Sequence, residues 1–285
     1  MKDKSKSKSR GLVLDPSTGK LRPVSFKQKM WQWVYGLCEP AILRGTDFML
    51  KTPKRAESFN RMATPKMLPR EVVVTSEAAC RFIDFIYSQN TENNSARMAV
   101  TKCVCQTATK TFREPVMKDM ALLYTADMYT SLKHTGIKEP FHIIETAEEA
   151  KSMIRYFDEC GLVHTVMYCN SSGKWTFVVC NCDDEVCIPM KAYKLGRRDQ
   201  VLAGPETVSL DREKCLGCSD CGKCIERYIF GCNAVGEDGK STVDSSKCLG
   251  CGLCAVSCPS GARTMIPRDD YEHEDKLTTA ILLGK

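Results

Sequence analysis

The spacing of apolar and polar positions changes period several times along the chain. Val72-Val-Val-Thr75 is a short apolar run of the kind a strand gives. Ser76 to Tyr87 follows with Phe82, Ile83, Phe85 and Ile86 at helical spacing, which predicts an amphipathic helix with Ser76 as its N-cap. Arg97 to Gln106 reads as an apolar strand carrying Cys103 and Cys105 at i and i+2, so both thiols are expected on one side. A helical region is expected over Val116–Leu132. Thr146 to Phe157 carries a stronger helical pattern, with Thr146 and Glu149 as a capping box and Gly161 as the stop. Leu162–Cys169 and Trp175–Cys182, separated by the turn residues Asn170-Ser-Ser-Gly-Lys174, predict a β-hairpin. Helix followed by hairpin suggests a winged-helix-like unit.

Before Glu71 the pattern loosens. The first ten residues interleave Lys2, Lys4, Lys6, Lys8 and Arg10 with Ser and cannot bury apolar surface, which predicts disorder. Pro16, Gly19 and Pro23 keep the next stretch irregular. Residues 26–38, with Phe26, Met30, Trp31, Trp33, Val34 and Leu37, are aromatic, basic and only weakly helical in spacing. Residues 1–70 therefore read as a basic, Pro-punctuated extended arm, which Trp31, Trp33 and Tyr35 pin to the core in preference to a membrane surface. Residues 269–285 read as a charged tail that turns weakly helical over Leu277–Leu283.

Charge sharpens that division. The chain of 285 residues has 41 Lys and Arg against 35 Asp and Glu; residues 1–70 hold 16 against 5 of these, which leaves 25 against 30 for the rest. The basic character belongs to the N-terminal segment, where it suits an anionic partner or peripheral membrane contact. No uncharged apolar stretch reaches the ~18 residues of a membrane span.

Cysteine usage changes the picture most. Nine of the 18 cysteines fall between residues 215 and 258. Cys248-Leu-Gly-Cys251-Gly-Leu-Cys254-Ala-Val-Ser-Cys258-Pro259 is a complete C-x2-C-x2-C-x3-C-P run, in which three close thiolates cap one [4Fe–4S] cluster and the fourth reaches across to a second. Upstream stand Cys215, Cys218, Cys221, Cys224 and Cys232, five cysteines where four are needed.

Two alignments of this upstream set are open. Laying Cys218, Cys221 and Cys224 on Cys248, Cys251 and Cys254 puts Tyr228 opposite Cys258, with Cys232 one turn later. Starting instead from Lys214-Cys215-Leu-Gly-Cys218, which repeats Lys247-Cys248-Leu-Gly-Cys251 word for word, requires three inserted residues. In both, Cys258 serves the cluster of the first run. The cluster of Cys248, Cys251 and Cys254 then takes Cys232 in preference to Tyr228, whose phenol has a pKa near ~10.

This pattern resembles the bacterial two-cluster ferredoxin domain over residues 205–268. A zinc ribbon needs four ligands and rarely carries the third Cys and the Pro. A disulfide framework conflicts with an N-terminus, Met-Lys-Asp-Lys-Ser-Lys, that lacks an apolar signal core, so a reducing cytoplasmic location is expected.

The middle region holds a second concentration of soft ligands. Cys103 and Cys105 form one pair and Cys180, Cys182 and Cys187 a Cys-x-Cys-x4-Cys set, with His164 and Cys169 on or beside the same hairpin. They are candidates for a third iron–sulfur cluster or a zinc ion, or are buried small hydrophobes. The five cysteines are the preferred ligands, with one redundant. His164 is expected to be a hydrogen-bonded structural residue, and Cys38, Cys80 and Cys160 to be packing residues. Cys103-Val-Cys105, Gly161-Leu-Val-His164 and Cys180-Asn-Cys182 resemble a family of anaerobe ferredoxin-type proteins with a winged-helix-like front half. The resemblance covers residues 72–268, although Thr111–Pro115 lacks further cysteines and Asp183-Asp184 stands where that family is denser in Cys.

The fold expected is α+β. Residues 71–203 form a mainly helical domain with a winged-helix-like hairpin, a short Gly/Pro linker lies near Gly204-Pro205, and residues 204–268 are ferredoxin-like with two clusters. No GxGxxG turn before a helix, Walker A, GxSxG or HExxH motif is present. The function expected is electron transfer, as a subunit that relays single electrons between donor and acceptor proteins of a larger oxidoreductase and is not catalytic by itself. The alternative is a redox-sensing nucleic-acid-binding regulator, which the acidic residues Glu148, Glu149, Asp158 and Glu159 on the candidate recognition helix disfavour. A third reading makes the front half a small catalytic module fed by the ferredoxin half.

Overall fold

A computed structural model describes residues 11–15, 18–62, 69–89, 97–131, 141–169, 175–227, 229–269, 271 and 276–284. The tail at residues 1–10, the hairpin turn at 170–174 and Tyr228 lie outside the described residues.

The chain opens with an antiparallel pair, β1 (Leu12–Asp15) and β2 (Lys20–Pro23), and then a 25-residue helix, α1 (Phe26–Leu50), followed by α2 (Pro53–Met62). This stretch is not the extended arm expected from its composition. Ser25 accepts from the Gln28 amide and Gln28 returns a bond to the Ser25 amide, a capping box that starts α1 despite Pro40 in its interior. α1 packs on α2 and on two short helices described below. Trp31 stacks on Tyr35 at 4.7 Å, while Trp33 is 55% exposed. The aromatic anchoring falls to Trp31 and Tyr35.

Next come β3 (Arg70–Val74) and α3 (Ser76–Ser88). The N-cap is Thr75, one residue before the expected Ser76, because its hydroxyl accepts from the Ala78 amide at 3.1 Å. β4 (Met98–Lys102) leads into α4 (Val104–Thr109), with Cys103 as the N-cap residue. Cys103 and Cys105 are therefore at a strand-to-helix turn rather than on a strand. Val116–Leu132 is only partly helical: β5 (Met117–Leu122) precedes α5 (Tyr124–Ser131), and the buried strand had imitated a helical segment. β6 (Phe141–Ile144) is followed by α6 (Ala147–Glu159), capped by Thr146 and ended at Gly161 with φ 77°. The Glu149 side chain reaches back to the Glu145 amide, not to Thr146.

β7 (Val163–Cys169) and β8 (Trp175–Cys182) form the expected hairpin, followed by α7 (Ile188–Lys194) and β9 (Val201–Leu202). Among the described residues, nine strands make one sheet in the order β6-β4-β5-β8-β7-β3-β9, with β1 on β8 and β2 on β1. All pairs are antiparallel except β3 with β9. The hairpin is thus the middle of a sheet and not a wing beside helices. Its strands are buried on both faces, as central strands of a covered sheet must be.

Registers Thr165↔Cys180, Val163↔Cys182 and Glu71↔Met167 put Cys180, Cys182, Glu71 and Val73 on one face; Val72, Val74, His164 and Val179 take the other. The second face packs Val72, Val74, Val166 and Val179 against Phe82, Ile83 and Ile86 of α3 and Ile154 of α6. The first face lies under α1, α4 and α7.

β10 (Glu206–Leu210), α8 (Lys223–Glu226), β11 (Asn233–Val235), β12 (Ser241–Val243), α9 (Leu253–Val256) and β13 (Arg263–Pro267) complete the C-terminal region, with β10 paired to β13 and β11 to β12. Gly204 and Pro205 are no loose linker. Gly204 is buried, donates to the Leu249 carbonyl at 2.9 Å, and approaches so closely that an added Cβ would lie 1.9 Å from the Val73 oxygen. α10 (Lys276–Leu283) returns to α3, where Leu282 is buried and its carbonyl accepts from Arg81 at 2.6 Å.

Candidate functional site

The nine C-terminal cysteines divide between two neighbouring cavities of about 20 Å³ each. One is lined by Cys215, Cys218, Cys221, Cys224 and Cys258. The other is lined by Cys232, Cys248, Cys251 and Cys254. Cys258 and Cys232 have exchanged places relative to the chain, each lining the cavity of the other run.

Local backbone geometry relates the two runs. Gly217 and Gly250, each after Cys-Leu, have φ of 95° and 85°; Gly222 and Gly252 have φ of 62° and 78° and begin the single turns α8 and α9. Cys215 Sγ accepts from the Gly217 amide, as Cys248 Sγ does from Gly250. Cys215, Cys218 and Cys224 thus occupy the stations of Cys248, Cys251 and Cys254. Ser219, Asp220 and Cys221 form the extra loop between Cys218 and Gly222.

The sulfurs sit among hydrogen-bond donors. Cys248 accepts from the Cys232 thiol, the Thr207 hydroxyl and the Val208 and Gly250 amides, which draws it well below the usual thiol range and pushes Cys232 up. Amides of Gly217 and Ser241 lower Cys215. Burial raises Cys258, but Ser260 and the amides of Arg263, Ser260 and Ala262 outweigh it. Cys251 is pushed up to about 12 by burial. Thiols that accept several N–H bonds are disposed to be thiolates, the form iron requires.

Arg263 joins the two cavities and was not anticipated from the sequence. It is 3% exposed and lines the first cavity while its guanidinium bonds Cys254 of the second. It also donates to Asn233 Oδ1 at 2.8 Å, to Ser241 Oγ and to the Thr242 carbonyl.

The five middle-region cysteines come together on the first face of the sheet. Contacts between thiols run from Cys103 to Cys105, Cys187, Cys182 and Cys180, and the Asp119 carboxylate closes the circle by bonding both Cys180 and Cys103. All five are buried. They line a cavity of about 90 Å³ that also receives Glu39, Glu71 and Asp119. Burial pushes these acids up, Asp119 to about 6, Glu71 to about 7 and Glu39 to about 8. Asp119 and Glu71 escaped sequence reasoning; a lone acid inside an apolar strand was their signal.

His164 and Cys169 do not join this ring. His164 points to the other face, fully buried between Asn181 at 2.7 Å and Asp158 at 3.2 Å, the structural role expected of it. Cys169 packs with Val13 and Val24. Cys38 and Cys160 are exposed rather than packing residues, while Cys80 is half-buried on α3. Among the described residues, no three or more His, Cys, Asp or Glu side chains are arranged to hold a single metal ion, in either the ring or the C-terminal cavities.

A 4Fe–4S binding domain model matches residues 241–264, from β12 to the start of β13, which places a 4Fe–4S binding domain in the C-terminal region and supports an iron–sulfur electron-transfer role. No curated protein and no solved structure matches the chain. Among the described residues, no helix is long and apolar enough to cross a membrane.

Proposed function

We propose that the C-terminal region binds two [4Fe–4S] clusters and that the protein relays single electrons between a donor and an acceptor protein. The carrying observation is the exchange of Cys258 and Cys232 between the cavities, which gives each a full set of thiols from both runs. The donor sets fit: one cavity has four thiols, and the other has four at equivalent stations plus Cys221. Cys215, Cys218, Cys224 and Cys258 would hold one cluster, and Cys232, Cys248, Cys251 and Cys254 the other. Each cluster, when bound, takes up and returns one electron.

The chain's own part is to hold those sulfurs apart, supply amides that favour the thiolate, and keep a cation between them. Amides at Gly217, Gly250 and Val208 do the second, and Arg263 does the third. For partner docking, α1 exposes Phe26, Met30, Trp33 and Val34 along one side beside Lys27 and Lys29, an apolar and basic strip suited to an acidic redox protein.

Single Cys→Ser variants, reconstituted anaerobically and assayed for iron and for the spin-coupled signal of two neighbouring reduced clusters, test the assignment. Cys221→Ser should keep full iron and the coupled signal. Cys224→Ser or Cys232→Ser should lose about four irons, or convert one cluster to a three-iron form. Equal losses from Cys221→Ser and Cys224→Ser would reject the ligand assignment, and a wild-type chain holding one cluster would reject the dicluster reading.

A further inference from the structure

We infer that the ring of Cys103, Cys105, Cys180, Cys182 and Cys187 binds a third iron–sulfur cluster, in electronic contact with the site of Cys232, Cys248, Cys251 and Cys254. The inference rests on the reading above only for its supply of electrons.

The first ground is chemistry. Thiols from three separate places, the β4–α4 turn, strand β8 and the start of α7, converge on one cavity. Packing residues have no reason to be cysteine five times over at such sequence-distant positions. Three acids, Glu39, Glu71 and Asp119, face the same space, and among the described residues the one basic residue lining it is Lys118. Lys118 is fully buried beside the register shift of β4 against β5, and its Nζ finds no hydrogen-bond partner among the described residues. Glu71 is 1% exposed, and its Oε1 finds no hydrogen-bond partner among the described residues. Against five thiols and three carboxyls, with an acceptor oxygen left over, one lysine leaves the site short of positive charge, which an iron–sulfide core supplies.

The second ground is size. The ring cavity, at about 90 Å³, is larger than either C-terminal cavity, at about 20 Å³ each. Its thiols are not gathered for a single ion, and those of the two ferredoxin-type cavities are not either. A zinc ion would need four ligands drawn to about 2.3 Å of one point. The spread and volume suit a cluster.

The third ground is continuity. One apolar cluster contains Cys180, Cys182 and Cys187 together with Leu249, Leu253 and the partly buried Cys251. The ring and the Cys248 run therefore share packed side chains. As one centre gives up an electron the other gains it, and no bond or proton need change.

The test uses the full chain, reconstituted anaerobically with iron and sulfide. Wild type should hold about twelve irons, and Cys180→Ser/Cys182→Ser about eight with the coupled signal of the C-terminal pair retained. Cys232→Ser/Cys248→Ser should instead lose the coupled signal and keep the ring's share of iron, which separates failure of this inference from failure of the dicluster reading. A measurement without substitution guards against a misfolded variant: in the loaded wild type, four of the five ring thiols should resist alkylation until iron is chelated, then react. About eight irons in wild type with the ring thiols unprotected by loading, or one equivalent of zinc in their place, would overturn it.

Discussion

Replacing Arg263 by Met should lower the reduction potential of the C-terminal centres, because it removes the buried cation they share. Arg263 is 3% exposed, so salt screens it little. It bonds Cys254 directly while lining the cavity of Cys215 and Cys258. A unit charge about 5 Å away, at an effective dielectric of about 20, contributes about 3 kcal/mol. For a one-electron couple that corresponds to about 130 mV, since 59 mV is about 1.36 kcal/mol. The reduced form, with one more negative charge, loses this stabilisation, so the shift is downward. Arg263→Lys keeps the charge and should move the potential by less than half as much. The stability cost is separate: Asn233 Oδ1 and Ser241 Oγ lose a buried donor, at about 1–3 kcal/mol for each group left unsatisfied. Spectroscopic redox titration of the loaded variants reads the potentials, and denaturant melts read the stability. A folded, fully loaded Arg263→Met protein with unchanged or raised potentials would refute the reasoning.

Three other perturbations follow from the same geometry. Gly250→Ala should cost the cluster of Cys248, Cys251 and Cys254, about four irons, because its φ is 85° and a Cβ would lie 2.3 Å from the Glu206 oxygen; Gly217→Ala, with no atom nearer than 4.0 Å, should cost only about 1–2 kcal/mol of backbone strain and retain its iron. Thr146→Ala should destabilise the chain by about 1 kcal/mol in urea melts through loss of the 3.1 Å cap to the Glu149 amide, and an unchanged midpoint would count against the cap. Burial, aided by Asp119, pushes Glu39 up to about 8, above its ordinary value near 4.5, so its contribution is fully present below pH ~4.5 and fades as pH rises through 8. Glu39 keeps part of its surface exposed, so the span is about 2 kcal/mol rather than the full shift; Glu39→Gln should flatten the loss of stability between pH 5 and 8.5, and an equal slope in both proteins would exclude it.

The parts legible in the sequence were those where a single period ran undisturbed: α3, α6 and the β7–β8 hairpin. Helix α1 was under-read because Pro40 and the scattered charges of residues 26–50 blur its stripe, whereas its start depended on one local device, the Ser25–Gln28 box. β5 was mistaken for helix because Met117–Leu122 is buried on both faces, and such a run has no alternation to distinguish it. The same lack of alternation hid the sheet: nothing in the hairpin's sequence tells a wing from a central strand, since that depends on β3 and β5 arriving from elsewhere. In the candidate site, the thiols were visible and their partners were not. Arg263, Asp119 and Glu71 are single charged residues whose meaning comes only from what the fold sets opposite them.

The extra cysteine of the first run sharpens what the two cavities have in common. Matching glycine conformations at both ends of Cys215–Cys224 and Cys248–Cys254 leave only the loop 219–221 unmatched, so the repeat of Lys-Cys-Leu-Gly-Cys corresponds to real backbone equivalence. Insertion there displaces no other cysteine station, because the Gly222 carbonyl accepts from the Ile225 and Glu226 amides as the Gly252 carbonyl does from Ala255 and Val256. The second run tolerates no such loop: Leu249 and Leu253 are packed into the core shared with Cys180, Cys182 and Cys187, and Gly250 touches the backbone of β10. The outer cavity faces solvent and can vary. The inner one is built into the sheet domain, and for that reason it is the one that would link the proposed C-terminal clusters to the thiol ring.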